Sequence, residues 1–469
     1  MLPLVLNTSR NPAFSGKTIK HGPTTAEGPN PSQALALPGL QPTPAANKCG
    51  VLLHWKDRII KKISLLTVFT IGSFYETTMI EVSKHLFDEG CRDASCYTLL
   101  HPWHRSCLKS SAATYTDSFL GSAKFYLVIH MVQNLMRGKK ILKREELIRI
   151  GEYYLRSTLL GGLVSGTCVT FGCLFRFIMG NKMTYYTYLL VPNMLNGLFI
   201  FLEPPSRRGL VTNLFCSLVL EYWLRTLHRS GHLSMTRSRQ TLMFMLGSAA
   251  LFYLMRLEGD RDIRTPLIWL FTPAKVKRNT EDSQSVCPHE GICWKYILKG
   301  SSAYFGFGLA ISLGKIFLTK ITSPIKAFSL IRAGDLRLAM FFGSYIGIYR
   351  TVICYLCRNR GFDSALYALP AGCIAGLSFL FKPSIGFAVA SLTGAFKLYS
   401  TILYEKKIIP ETTLLPTLLY CFCQGTLFHA RFMHPEVCPS YVFKLIKSVS
   451  NGRSEQLYSN LLKALENAT

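Results

Sequence analysis

The sequence predicts an all-α, polytopic helical membrane protein with two related halves of four to five spans each. Three observations lead to this fold class. Hydrophobic residues make up 49% of the 469 residues and charged residues only 17%, and the mean hydropathy is +0.23. After residue 111, apolar blocks alternate with basic loops. The order of short motifs in the first five blocks recurs in the second five.

Residues 1–90 are predicted to form a disordered or poorly structured tail. Much of this segment is rich in Pro, Thr, Ser, Ala and Gly, and its apolar run 63–75 has 13 residues. Because a helical membrane crossing needs about 17–25 residues, a buried or interfacial helix is the better interpretation of that run. A short juxtamembrane motif rich in Cys and His follows at 91–110.

Ten apolar blocks come next, and helices are the structure that suits them. Backbone groups in lipid must bond internally, and the blocks lack the alternation of barrel strands. Charges and glycines interrupt several blocks, so the expected number of spans is eight to ten. The blocks are 112–136, 157–179, 183–202, 209–227, 240–257, 299–319, 338–357, 365–381, 384–403 and 412–430.

These blocks divide the chain into a first transmembrane repeat, 111–258, and a second, 299–432. A basic linker, 259–298, joins them, and a C-terminal tail, 433–469, follows. The matched motifs are Gly162 and Gly166 with Gly343 and Gly347, Arg176 with Arg358, Pro192 with Pro370, and Glu203-Pro204 with Lys382-Pro383. Halves of five spans would be inverted in the membrane, as in several transporter folds, whereas halves of four would be parallel.

The paired glycines predict packing seams. Glycines at four-residue spacing line one face of a helix, and helices in lipid associate through close backbone contact. We therefore expect a seam at Gly162 and Gly166 and its copy at Gly343 and Gly347. Each seam is predicted to pack against the proline-led next span, or the two seams to meet between the halves.

Two Cys/His stretches precede the two repeats. They contain Cys96, His101, His104 and Cys107 in the first stretch and Cys287, His289 and Cys293 in the second. Cysteine and neutral histidine are zinc ligands, so either stretch could bind zinc, or the two could share one four-ligand site or a disulfide pair. The alternative is an amphipathic cap at the membrane surface, with free thiols in a reducing compartment. We expect no cofactor, with zinc as the alternative.

Ionisable residues inside the apolar blocks are candidate functional groups. Asp117 and Lys124 lie seven residues apart and predict a polar stripe that faces the bundle interior. Glu221 and Arg225 are four apart, in the favourable order for an ion pair within one helix. Further candidates are Arg176, Lys315, Arg350 and Lys397.

The charge balance and the motifs exclude two classes of function. The chain has 53 basic and 26 acidic residues, a net charge of +27. The basic residues lie between apolar blocks, where they would contact anionic headgroups, and no basic motif has interleaved aromatics. We therefore expect membrane lipids as partners and no nucleic acid.

No catalytic triad, phosphate loop, dinucleotide fingerprint or His-Glu-x-x-His motif is present, so we expect no enzyme activity.

Two of these motifs resemble a known family. The stretch from Cys96 through His101-Pro102-Trp103-His104-Arg105-Ser106-Cys107 resembles the N-terminal cysteine-rich motif of the transmembrane protein 135 family. The sequence Ser206, Arg207, Arg208, Gly209 resembles that family's loop after its third span. The second half also resembles, distantly, the mitochondrial inner-membrane translocase superfamily.

The resemblance implies a non-enzymatic multipass protein of peroxisomal or mitochondrial membranes. It also implies a role in mitochondrial fission–fusion balance, peroxisome organisation and lipid metabolism, with organelle-division or lipid-handling proteins as partners. The repeats and the interior charges leave a second hypothesis open, a transporter or channel for a lipid or metabolite.

Overall fold

The computed structural model describes residues 81–137, 144–257, 286–289, 291–319, 333–408, 410 and 414–466. Every regular element in these ranges is a helix, which confirms the all-α class for this part of the chain. The predictions for 1–80 and for residues 258–285 of the linker region lie outside the described residues.

Fourteen α-helices are described. They are α1 Lys84–Cys91, α2 Cys96–Leu99, α3 Cys107–Arg137, α4 Arg144–Ile178, α5 Tyr185–Asn196, α6 Pro205–Arg229, α7 Arg237–Leu257, α8 Cys293–Thr319, α9 Ala333–Arg360, α10 Ala368–Ala375, α11 Ile385–Glu405, α12 Leu414–Met433, α13 Ser440–Val449 and α14 Arg453–Glu466. Short 3₁₀ helices cover Gly197–Leu202, Ala365–Tyr367 and Gly376–Phe381. Each of the ten predicted apolar blocks coincides with one of the helical segments from α3 to α12.

Among the described residues, five helical segments are long and apolar enough to cross a membrane, against the eight to ten spans predicted for the whole chain. They are Arg144–Ile178, Tyr185–Leu202, Arg237–Leu257, Leu336–Arg360 and Ile385–Glu405, and Ala365–Phe381 is a shorter apolar segment. These segments support a multipass membrane protein.

The third block of each half has the same broken form. Thr184 and Thr187 bond to each other's backbone N–H groups and so begin α5 with a capping box. Pro192 lies inside this helix and has no N–H to donate, and from Gly197 to Leu202 the chain tightens into a 3₁₀ helix. In the second half, α10 likewise contains a proline, Pro370, and passes into the 3₁₀ helix Gly376–Phe381.

The described residues form two hairpins of long helices, and two further helices, α7 and α12, each pack against segments distant in the sequence. The hairpins are α3 with α4 and α8 with α9. Helix α7 packs against α10, the 3₁₀ helix after it, and α11, all in the second half. Helix α12 packs in the same way against α5, the 3₁₀ helix that follows it, and α6.

A glycine lies at each of these two contacts, one between α12 and the segment after α5 and the other between α7 and the segment after α10. A Cβ atom on Gly197 would lie 2.6 Å from the Cα atom of Cys421 in α12. A Cβ atom on Gly376 would lie 2.7 Å from the Cα atom of Met245 in α7. Only glycine permits such close approach of two backbones, so these positions set the distance of α7 and α12 from the segments on which they pack.

The described ends of the chain pack together beside α3 and α4. The Val82 N–H donates to the Met433 carbonyl over 2.9 Å. Phe87 of α1 and Leu461 of α14 are fully buried in one apolar cluster. Residues 81–90 and 433–466, predicted as parts of two tails, therefore contribute three helices, of which α1 and α14 share one apolar cluster and α13 packs in another.

A buried ion pair joins α7 to the segment after α9. The Arg256 guanidinium binds the Asp363 carboxylate, and the two side chains are 2% and 11% exposed. Arg256→Met should lower the free energy of unfolding by about 3–5 kcal/mol, because it leaves a buried carboxylate without its counter-charge. Thermal unfolding of the purified protein in detergent measures the effect.

The control for this prediction is an exposed ion pair of the same kind. Arg156 lies 2.7 Å from Glu152, and the side chains are 45% and 53% exposed. Arg156→Met should change stability by less than about 1 kcal/mol. Equal losses in the two variants would show that burial of the Arg256–Asp363 pair is not what makes it important.

Candidate metal centres

The first metal centre, called here the first cluster, consists of Cys96, His101, Cys107 and Cys173. One potential ligand atom from each residue lies within 4.8 Å of the others. Cys96 begins α2, Cys107 is the first residue of α3, and Cys173 lies in the last two turns of α4. The cluster therefore joins the start of one hairpin helix to the end of the other.

Backbone geometry orients the histidine of the first cluster. The His101 Nδ1–H donates to the His104 carbonyl over 2.9 Å, which leaves Nε2 directed to Cys107 Sγ at 3.2 Å. A second hydrogen bond that fixes the ring in this way is typical of metal-binding histidines. The prediction of His104 as a ligand is not borne out by this arrangement, because His104 contributes its carbonyl and not its ring.

Charge stabilises the thiolate of Cys96. The hydrogen bond from the Cys173 thiol has the largest effect, burial opposes it, and together with His101 and Arg176 it lowers the pKa of Cys96 to about 4. Burial alone would lower the pKa of His101, but its hydrogen bonds to Cys96, the His104 carbonyl and Cys107 raise it to about 9. A metal ion would take the place of the His101 proton beside a preformed thiolate.

The second cluster consists of Cys287, His289, Cys293 and Cys354, which meet the same distance criterion. Cys287 Sγ lies 3.7 Å from Cys293 Sγ, and His289 Nε2 lies 3.3 Å from Cys354 Sγ. The His289 ring stacks on Tyr296 with 4.2 Å between ring centroids.

The two clusters occupy corresponding positions in their halves. Cys107 and Cys293 are each the first residue of a long helix, α3 and α8. Cys173 follows Gly166 by seven residues, and Cys354 follows Gly347 by seven. Cys173 and Cys354 were not among the ligands predicted from the two stretches. The equal intervals from the paired glycines were the signal that could have identified both.

The clusters are two separate sets of residues, and the second lies near the last turn of α7. In its last turn Arg256 binds Asp363, which also accepts a hydrogen bond from the Cys357 thiol, one turn beyond Cys354. Just before α7 begins, Arg229 lies 3.1 Å from Glu81, in the segment that leads to the first cluster. The structure groups each stretch with a cysteine from a long helix, Cys173 or Cys354, and does not bring the two stretches into one set.

Each cluster could hold a metal ion. Three cysteines and one histidine form a complete tetrahedral set for a structural site, with no position left for water or substrate. The arrangement can tether two helices, and it does not present the open coordination position that a catalytic metal needs.

The predicted glycine seams pack against other helices than the ones expected. Cβ atoms on Gly162 and Gly166 would meet the rings of Phe119 and Tyr115 in α3. Cβ atoms on Gly343 and Gly347 would approach Phe305 and Ser301 in α8. Both seams therefore pack inside their own hairpin, and the predictions of a proline-led partner or of contact between the seams were wrong.

Three of the predicted intramembrane polar residues, Asp117, Lys124 and Glu221, have partners in the structure. Asp117 Oδ2 accepts from Arg453 Nε over 2.7 Å, and Lys124 Nζ donates to Asn451 Oδ1 over 3.3 Å. The polar stripe of α3 thus holds the turn between α13 and α14. Glu221 pairs with Arg225 as predicted, at 2.6 Å. The side chain of Lys315, in α8, lies outside the described part.

The family-like motif Ser206, Arg207, Arg208, Gly209 lies in the first turns of α6, and not in a loop. Arg207 approaches the buried Glu203 carboxylate at 3.4 Å, and Glu203 accepts from Ser157 Oγ over 2.9 Å. Arg208 donates to the carbonyls of Phe201 and Glu203, both over 2.8 Å. These bonds satisfy carbonyls at the end of a 3₁₀ helix, so the motif fixes the turn between the third and fourth blocks.

The fold and the clusters define a helical membrane protein with Cys/His sites at its helix ends. The family model for the N-terminal cysteine-rich region of Transmembrane protein 135 matches residues 93–227. This range holds the whole first cluster and the motif at the start of α6. The match confirms the predicted resemblance of the chain to the transmembrane protein 135 family. No solved structure matches the chain.

Proposed function

We propose that the chain is a non-enzymatic, multipass protein of peroxisomal or mitochondrial membranes that regulates mitochondrial fission–fusion balance, peroxisome organisation and lipid metabolism. The family match supports the membrane class and, through the resemblance, this role. The observation that carries the non-enzymatic part is the pair of closed ligand sets, each with three cysteines and one histidine. Its partners are membrane lipids and organelle-division or lipid-handling proteins, and nucleic acid is not among them.

Each cluster holds one structural zinc ion in this proposal. Three thiolates around a divalent ion leave one net negative charge, and an arginine lies beside each set. Arg176 Nη1 is 3.9 Å from Cys96 Sγ in the first cluster, and Arg358 bonds to Cys287 in the second. The ion would tether the two helices of each hairpin at its open end.

The chain consists of two related, inverted halves in this proposal. Support comes from the equal glycine-to-cysteine intervals, the two broken third blocks and the reciprocal packing of α7 and α12. Five helices, α3 to α7, lie between Cys107 and Cys293 in the chain, an odd number that would invert the second half. One zinc site would then face each side of the membrane.

Cell fractionation followed by a rescue experiment tests the proposed role. The protein should resist alkaline carbonate extraction and fractionate with peroxisomes or mitochondria. Cells that lack it should show altered mitochondrial length and peroxisome number, and wild-type protein should restore both. A soluble protein, or organelles unchanged by its loss, would refute the proposal.

A transporter or channel for a lipid or metabolite is the second candidate function. The reciprocal exchange of α7 and α12 favours it, because inverted halves that meet at a membrane interior are a common transporter design. Flux of a labelled lipid into vesicles that contain the purified protein, absent from empty vesicles, would favour this candidate. Partner binding without flux would favour the regulator.

A further inference from the structure

Helix α11 carries a lysine that differs from the other buried charges of the described chain. Lys397 is half-buried in a segment that is apolar enough to span the membrane. Its ammonium group has no hydrogen-bond or ion-pair partner among the described residues. The charges that do have partners include Glu203 with Arg207, Glu221 with Arg225, and Arg256 with Asp363.

Lys397 lies near the point where α6 crosses α11. Helices α6 and α11 meet at Ser217 and Thr393, whose hydroxyl oxygens are 2.7 Å apart. Glu221 follows Ser217 by four residues, and Lys397 follows Thr393 by four. Glu221 and Lys397 therefore lie at the same interval, about one helical turn, beyond the contact between the two helices. Glu221 has a counter-charge, Arg225, on its own helix, and Lys397 does not.

The Lys397 side chain lies beside the first turns of α6. The Lys397 side chain faces Gly209 of α6, where an added Cβ atom would lie 4.0 Å from Cε. Gly209 is one turn from the start of α6, so the ammonium lies near one end of that helix. Phe396 and Tyr399, beside Lys397 on α11, are 71% and 48% exposed and present an apolar surface to lipid.

We propose that Lys397 binds the anionic headgroup, a carboxylate or a phosphate, of a membrane amphiphile at the crossing of α6 and α11. An unpaired cation at membrane depth is unfavourable and usually marks a binding or transport path. An amphiphile supplies the missing negative charge at the depth of Gly209 and places its chain along the exposed aromatic surface. The inference deepens the proposed lipid-handling role and rests on it for the choice of a lipid ligand.

Binding to the full-length protein in phosphatidylcholine nanodiscs tests the inference. The probes are a photoreactive palmitate, a photoreactive phosphatidic acid, the methyl ester of the palmitate probe, and inorganic phosphate as a competitor. Lys397→Met should weaken binding of at least one anionic probe by about tenfold, the usual worth of a charge-assisted hydrogen bond. Lys397→Arg should keep most of the binding, and crosslinks should map to α6 or α11.

The matched control is Lys382→Met, which removes an exposed lysine just before α11 and should bind like the wild type. Lys397→Met should unfold at the same temperature as the unliganded wild type or higher, since it removes an unpaired charge. A preference for palmitate or for phosphatidic acid identifies the headgroup.

Three results would overturn the inference: equal binding by Lys397→Met, equal binding of the methyl ester, or full competition by inorganic phosphate. Each can occur while carbonate resistance and rescue of organelle morphology persist. In that case the proposed function stands and only the lysine site is rejected.

Discussion

Cys173→Ser is expected to remove one zinc ion from the purified protein, and Cys354→Ser is expected to remove the other. The wild type should carry about two zinc ions per chain, because each set of three cysteines and one histidine takes one ion. Serine nearly matches cysteine in size but does not supply a thiolate. Each variant should therefore keep the ion of the unaltered cluster.

The loss of stability should be large, because structural zinc contributes its binding free energy to folding. Apparent values for structural sites reach about 10–16 kcal/mol, and even a fraction of this is comparable to the stability of a whole domain. Zinc ions at the two clusters would tether α3 to α4 and α8 to α9, so each hairpin should open at its cysteine end when its ion is lost. Elemental mass spectrometry and thermal unfolding in detergent measure the two effects.

Cys373→Ser is the control for the zinc variants. Cys373 lies in α10, is half-buried and belongs to neither cluster. This variant should keep both ions and most of the wild-type stability. The zinc assignment would be contradicted if wild-type protein from cells grown with zinc contains no zinc after purification. It would also be contradicted if the Cys173→Ser variant retains both ions.

Gly197→Leu and Gly376→Leu are expected to prevent correct assembly of the chain. The added side chain would collide with the backbone of α12 or α7, at 2.6 Å and 2.7 Å from a Cα atom. Rotation of a neighbouring side chain cannot relieve a clash with backbone, so the exchanged helix must move away. Overpacking usually costs about 1–3 kcal/mol, and a displaced helix loses contacts along its length as well.

Low steady-state protein and rapid digestion by added protease should show this defect in membranes. Gly151→Leu and Gly306→Leu serve as controls, because a Cβ atom at either position would meet nothing within 4 Å. These two variants should accumulate to wild-type amounts. If Gly197→Leu and Gly376→Leu behave like them, α7 and α12 do not pack as closely as the structure shows.

Local patterns in the sequence were sufficient to predict ten of the fourteen described α-helices and six of the eight candidate metal ligands. Apolar blocks of near-spanning length predicted helical segments in ten places, and spacing within two short stretches gave Cys96, His101, Cys107, Cys287, His289 and Cys293. The fourth ligands were not predictable in this way. Cys173 lies 66 residues beyond Cys107, and only the pairing of α3 with α4 brings them together.

The partners of the helices were also beyond the reach of local patterns. Gly162 and Gly343 were correctly expected to lie in close contacts, but a glycine pair does not specify which helix faces it. The ionisable residues of α3 illustrate the same limit. Asp117 and Lys124 were assigned to the bundle interior, whereas their partners belong to the turn between α13 and α14, more than 300 residues away.

The reciprocal exchange of α7 and α12 imposes an order on biosynthesis. The face formed by α5, its 3₁₀ extension and α6 has no cover until Leu414–Met433 emerges from the ribosome, more than 200 residues after Leu202. At about 5–20 residues per second, that delay is on the order of ten to fifty seconds. During this interval the nascent first half carries an open groove shaped for a helix. Truncated transcripts that end before residue 414 would leave that groove permanently vacant and available to α12 of another chain.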